Sequence, residues 1–215
     1  EPEDVLFVHL TLLPFLKASG ELKTKPTQQS VGKLREIGVQ PHVLICRTEK
    51  ALTEEMREKI SLFCNVPKRC VIEEKDVDFS IYEVPVNLRL QGLDALITEK
   101  LKLPPSSPVD DGAWRDMLER IKSPRRKVEI AVVGNYIALH DAYKSIYEAL
   151  THAGTANDAR VEVRKISAED VERLGAAQTL SGVGGVLVPG GFGERGVLGK
   201  IEAIRYAREN RIPFL

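Results

Sequence analysis

Two short stretches of this 215-residue chain bring together groups suited to negative charge. In "KTKPTQ" the ammonium groups of Lys23 and Lys25 stand beside the hydroxyls of Thr24 and Thr27, with Pro26 and Gln28 opening what reads as a helix. Two cations, two hydroxyls and a helix start suit a triphosphate, because unpaired N–H groups and the helix dipole both favour anions. A solvated turn would use the same residue types. In "VLVPGGFGERG" the glycines at 191, 193 and 196 spell G-x-G-x-x-G directly after an apolar run. A dinucleotide pyrophosphate, a nucleotide triphosphate and the oxyanion of an acyl transfer all fit backbone N–H groups at such a helix start, so the spacing does not choose among them.

Context narrows the choice without closing it. A dinucleotide fingerprint normally follows the first strand of its domain and has an acidic residue about 20 positions further on. Here the loop follows a third strand, and Leu215 is reached before that acid would appear. A phosphate loop would need a G-K-[ST] ending, which "GGFGERG" lacks. A plain strand-to-helix turn remains open.

Composition removes several function classes. Basic and acidic side chains balance at 31 each, so no net field draws the chain to nucleic acid or to an anionic membrane, and any charged-ligand site must be local. The longest apolar stretch, "VLFVHLTLLPFL", contains His9, Thr11 and Pro14 and is shorter than the roughly 20 residues a spanning helix needs. Cys46, Cys64 and Cys70 are odd in number and lack C-x-x-C spacing, which predicts buried, reduced thiols of a cytoplasmic protein. His9, set among apolar residues, reads as a packed core histidine rather than a ligand.

The elements that must position these residues follow an α/β rhythm. The sequence predicts a buried strand over Val5 to Leu13, a Lys- and Thr-rich loop, a helix from about Thr27 to Ile37 stopped by Gly38, and a strand "HVLICR". Thr53 caps a helix with Glu54 and Glu55 in its first turn and Met56, Ile60 and Phe63 on one face; the strand "CVIEE" comes next. Helical pattern runs from Ile81 to about Leu103, and "LPPSSPVDDG" breaks it as a linker. A short helix around Trp114 to Ile121 and a basic "KSPRRK" precede a second series. It consists of the strand "VEIAVVG", a helix after Asp141, the strand "RVEVRKI", a helix after Ser167, the strand "GGVLVPGG", a helix from Arg195 to Arg211, and "IPFL". Alternation of this kind predicts two parallel-sheet α/β domains. Their expected bounds are 1–103 and 127–215, with 104–126 as a linker carrying a short helix. Apolar strands lying at both ends, with no initiator Met, read as an internal piece of a longer polypeptide.

Five runs carry a family resemblance. "VPGGFG" resembles the oxyanion loop of class I glutamine amidotransferases. "HLTLLPFLKASGELKTKPTQQSVGKLREIG", "ICRTEKALTEEMREKISLFCNVP" and "KDVDFSIYEVP" resemble the synthetase domain of the CTP synthase family, and "VGNYIALHDAYKS" resembles the start of its glutaminase domain. The likeness holds in order from about Val5 to Leu215. It implies the C-terminal part of a P-loop-like synthetase domain joined to the N-terminal part of a class I glutaminase domain. The implied activity is pyrimidine biosynthesis in the cytoplasm. ATP with Mg2+ phosphorylates the uracil 4-oxygen of UTP, and ammonia freed from glutamine displaces the phosphate to give CTP. The full-length enzyme is expected to be a homotetramer.

The resemblance also assigns residues. It implies that Lys23, Thr24, Lys25, Pro26, Thr27, Gln28 and Lys59 contact UTP, or CTP as feedback inhibitor. Arg47, Lys75 and Val77 fall where the family holds the adenine of ATP, the valine through its backbone. Gly190 and Gly191 match the oxyanion and glutamine-contacting glycines, their bare backbone allowing close approach and positive φ. Phe192 would cover the aliphatic stem of glutamine, and Lys144 would face the interdomain communication region. Arg195 reads equally as surface charge. Gln29 and Asn135 depart from the family, which commonly has His and Lys there. No Walker-like loop, magnesium carboxylates, nucleophile elbow or following His–Glu pair is found, so this stretch alone is expected to be inactive. A non-catalytic nucleotide-sensing or assembly module of the same fold is the alternative.

Overall fold

The computed structural model describes residues 4–104, 109–191 and 193–215. The chain divides into two compact units, Glu1–Asp110 and Asp111–Leu215.

In the first unit β1 (Val8–Leu13) leads through a small hairpin, β2 (Phe15–Leu16) and β3 (Glu21–Leu22), to α1 (Lys25–Glu36). Then come β4 (Val43–Thr48), α2 (Glu54–Cys64), β5 (Val71–Lys75), α3 (Val84–Leu90) and α4 (Leu93–Lys100). The sheet order is β1-β4-β5 and both pairings are parallel. Central β4 is enclosed on both faces, with Val43, Leu44, Cys46 and Thr48 buried, as expected of parallel strands covered by crossover helices. The stop after α1 is a Schellman motif: Gly38 at φ +85° lets its N–H reach Arg35 O at 2.9 Å while Val39 N reaches Leu34 O at 2.9 Å. At the start of α2, Thr53 Oγ1 accepts from Met56 N at 3.2 Å, and Glu54 and Glu55 sit in the first turn.

Four expectations need correction here. The first strand begins at Val8 and is buried on one face only, with Thr11 and Leu13 inside while Val8, Leu10 and Leu12 are exposed. The segment after it contains the β2–β3 hairpin, closed by Gly20 at φ +67°. On α2 the buried stripe is Ile60 and Cys64 with Met56 packed against the core, whereas Phe63 is 56% exposed. Residue 64 lies one i+4 step from Ile60 and stays on the stripe; residue 63 falls off its edge. The stretch 81–103 is two helices, separated where Gly92 takes φ +75°. At that break Gln91 docks on β5: Glu73 N donates to Gln91 Oε1 at 2.8 Å and Gln91 Nε2 donates to Glu73 O at 2.5 Å.

The second unit runs α5 (Gly112–Lys122), β6 (Arg126–Gly134), α6 (Lys144–Ala156), β7 (Ala159–Ser167), α7 (Ala168–Leu174), α8 (Ala176–Thr179), β8 (Gly185–Leu187) and α9 (Val197–Glu209). Its sheet order is β7-β6-β8, again all parallel. "IPFL" extends the sheet beyond β8: Val186 N bonds Pro213 O and Val188 N bonds Leu215 O, each at 2.9 Å. The last helix starts at Val197, two residues later than expected, because Gly196 at φ +68° serves as its N-cap. Where α9 crosses α7, a Cβ built on Gly199 would lie 1.9 Å from Ala168 O, so only glycine permits this approach.

Candidate functional site

Each unit presents one cluster, and both follow the carboxyl ends of parallel strands, where α/β sheets bind ligands. In the first unit, α1 starts on the segment after β1. Its first capping bond runs from Gln28 N to Thr24 O at 3.1 Å, leaving the N–H groups of Lys25 and Thr27 ahead of it. No acidic residue occupies the first turn, and Pro26 supplies a fixed φ. Both hydroxyls turn inward. Thr27 is fully buried, donating to Leu12 O at 3.3 Å and accepting from Thr11 Oγ1 at 3.2 Å. Thr24 Oγ1 accepts from Gln28 Nε2 at 3.2 Å. The threonines thus pin the helix start, and what faces outward is cation and backbone. Lys25 is exposed; half-buried Lys23 pairs with Glu21. That hydrogen bond holds the Glu21 carboxyl below the usual range, and Lys59 lies near enough to add to the effect.

Arg47 and Lys75 sit at the ends of β4 and β5, with Thr48 opposite Lys75 in register. Arg47 Nε bonds Asp76 Oδ1 at 2.8 Å, a pair with both side chains largely exposed. Lys75 is exposed and Val77 half-buried. Sequence reasoning passed over Glu74, which is opposite Arg47 in register. It is 8% exposed, neither carboxylate oxygen has a partner, and burial, then Asp76 and Glu73, push its carboxyl above the usual range. Inside the run "EEKD" nothing distinguishes it from a solvated charge. His9 is half-buried at the margin of the core rather than within it, with Nε2 2.9 Å from Ser30 Oγ and burial holding its pKa below the ordinary value.

In the second unit the loop after β8 carries Gly190 and Gly191, both exposed. Neither takes positive φ; Gly193 (+91°) and Gly196 (+68°) do. The special backbone thus lies at the far end of the loop, where the chain swings into α9. A Cβ on Gly190 would meet nothing within 4 Å, and one on Gly191 would lie 3.1 Å from Lys200 Nζ. Phe192 lies outside the described residues. Arg195, read as surface charge, makes a two-point pair with Glu169 at 2.6 and 2.9 Å, and Gly199 N donates to Glu172 Oε1 at 3.0 Å.

The three cysteines are free and buried. Burial foremost, with Cys64 adding, pushes the Cys46 thiol up to about 12, far from a usable thiolate. Among the described residues no three His, Cys, Asp or Glu side chains form a set able to hold a metal ion, and no helix is long and apolar enough to cross a membrane.

Comparison with known proteins adds two family matches. Residues 1–103 match the family described as CTP synthase N-terminus, and residues 138–215 match glutamine amidotransferase class-I. The CTP synthase of Desulfitobacterium hafniense (strain Y51) is 54% identical over 99% of this chain and 40% of its own length. That of Clostridium beijerinckii is 51% identical over 99% of this chain and 39% of its own. A solved structure, the Trypanosoma brucei CTPS glutaminase domain with bound acivicin, is 38% identical, covers 40% of this chain and 34% of its own, and has a TM-score of 0.38. The chain spans about two fifths of the length of the curated relatives it matches.

Proposed function

Because this chain belongs to the CTP synthase family, we propose that it forms part of an enzyme that aminates UTP to CTP, drawing ammonia from glutamine and driving the step with ATP. One observation carries this proposal: a single chain holds, in order, a synthetase segment and a glutaminase segment. Transfer of the γ-phosphoryl group of ATP to the uracil 4-oxygen creates a phosphate leaving group, and ammonia displaces it with loss of a proton.

On this proposal the start of α1, with Lys23, Lys25 and Lys59, receives the UTP or CTP triphosphate through charge-assisted contacts and free N–H groups. Thr27 acts from beneath by holding the helix start, and Thr24, Pro26 and Gln28 complete that turn. Arg47, Lys75 and the Val77 backbone take the adenine of ATP; Arg47 is free to stack on a base because its pair with Asp76 is exposed. Gly190 and Gly191 offer N–H groups to the oxyanion formed at the glutamine carbonyl, and Phe192 closes over the stem. Magnesium is expected with ATP, but the described residues do not fit that ion, and none is assigned to it. No nucleophile is assigned either, since all three thiols are buried. A homotetramer in the cytoplasm completes the proposal.

The test is turnover by full-length protein containing this segment, supplied with UTP, ATP, magnesium and either glutamine or ammonia. CTP formation from both nitrogen sources supports the proposal. Tight nucleotide binding with no CTP from either source identifies a sensing or assembly module instead.

A further inference from the structure

We propose that Asn135 is a positioning residue for the glycine loop, tying the end of β6 to the point where the loop turns into α9 and so setting the loop for glutamine use. This rests on the assignment of that loop to the glutamine oxyanion.

The loop is held differently at its two ends. Upstream, backbone bonds to the "IPFL" segment fix Val188. Downstream, at Arg195 and Gly196, side chains from distant segments do the holding. The Arg195–Glu169 pair is exposed, at 65% and 50% for the two side chains, so solvent and salt weaken it. The contact from Asn135 is packed on one side only: its Nδ2 donates to Arg195 O at 2.7 Å in an exposed hydrogen bond, while its Oδ1 is buried without a partner. A Cβ on Gly196 would lie 2.6 Å from that oxygen, so the amide packs directly against the residue whose left-handed φ starts α9. Turning the amide over would set oxygen against the Arg195 carbonyl, so only one orientation fits.

Asn135 is itself rigidly placed. Tyr143, 5% exposed, accepts through its hydroxyl from Asn135 N at 3.2 Å and Tyr136 N at 3.3 Å. A Cβ on Gly134 would lie 2.5 Å from the same hydroxyl. A fixed strand end thus reaches across to the end of the loop, where the Arg195 side chain makes only an exposed pair and Gly196 has no side chain to hold it. A lysine keeps a donor for the carbonyl, whereas an aspartate loses the donor and opposes the carbonyl with charge.

The experiment compares Asn135→Asp and Asn135→Lys with the parent in full-length protein, reading CTP formation from glutamine and from ammonia together with amide hydrogen exchange. Asn135→Asp is expected to lower glutamine-dependent turnover about tenfold, because the donor is lost and a carboxylate charge is set against the Arg195 carbonyl. Ammonia-dependent turnover should hold, and amides 193–197 should exchange faster while the rest of the second unit is unchanged. Asn135→Lys should retain most glutamine use. Unchanged exchange at 193–197 in Asn135→Asp, or equal loss with both nitrogen sources in folded protein, overturns the proposal. Gly191→Ala run in parallel separates the two levels. If it spares glutamine use, the oxyanion assignment fails and the inference falls with it. If it abolishes glutamine use while Asn135→Asp does not, the inference alone fails.

Discussion

The two segments proposed to face anions are built in opposite ways. The "KTKPTQ" segment is held by its near neighbours: Thr27 reaches back 15 and 16 residues to Leu12 and Thr11, and Gln28 folds onto Thr24. The glycine loop is held by partners 26, 27 and 60 residues away, Glu169, Glu172 and Asn135. A cluster of charged and hydroxyl residues suggests a ligand class from one short run, and its support comes from that run and the strand just before it. A glycine loop announces only that backbone must come close to something, and its shape is written elsewhere in the chain.

The sharpest way to break this comparison is Gly191→Ala. It should lower glutamine-dependent CTP formation about a hundredfold, the scale of one oxyanion donor, because alanine keeps the N–H but sets a Cβ where the glutamine carbonyl must approach it, while ammonia-dependent formation stays near normal; assaying both sources in folded full-length protein checks it. Equal loss from both would mean the loop serves the synthetase reaction. A smaller effect is expected at the other segment. Lys25→Ala should weaken UTP use or CTP inhibition about tenfold, because a charge-assisted phosphate contact is worth roughly 1.5–3 kcal/mol, without moving the unfolding midpoint. Thr27→Val should do the reverse, destabilising the protein by about 1 kcal/mol through lost buried hydrogen bonds. If Lys25→Ala also lowers the unfolding midpoint, support and ligand contact are not divided as described.

Glu74 gives the smallest expected effect and asks whether the first unit is wholly self-supporting. Its carboxyl is raised from the ordinary 4.5 chiefly by burial, so the folded state binds its proton more tightly than the unfolded one. The stability it contributes is full below the unfolded value and is lost as pH rises through the raised folded value. Glu74→Gln, which keeps the shape without the ionisation, should therefore stabilise the protein at neutral pH by on the order of 1 kcal/mol and show little gain below pH 4.5. Denaturant melts across pH decide it; an equal gain at all pH values would refute the titration.

What the sequence made legible follows the same division. The Thr53 cap and the Gly38 stop rest on contacts within a few residues, and the alternation of strands with helices implies parallel sheets through the crossover rule, so these were readable. The Gln91–Gly92 break was not, because a helical pattern continues across it and its cause is an amide docking on β5. Nor could sequence choose which glycines take positive φ. Gly193 and Gly196 do so because of where α9 must begin, and that is set by the fit of Gly199 against Ala168. The site residues themselves carry no signal of support: Asn135 looks like a lost charge until its partner 60 positions later is seen.

The contact between Gln91 and Glu73 also bears on how the protein keeps to itself. β5 closes one side of the first sheet, and the outer margin of a sheet presents unpaired N–H and C=O groups that can template a strand from another molecule. At Glu73 both groups are already taken by one side-chain amide. A foreign strand would have to expel Gln91 before it could zip along that margin, so the helix break doubles as a guard against runaway self-association during folding.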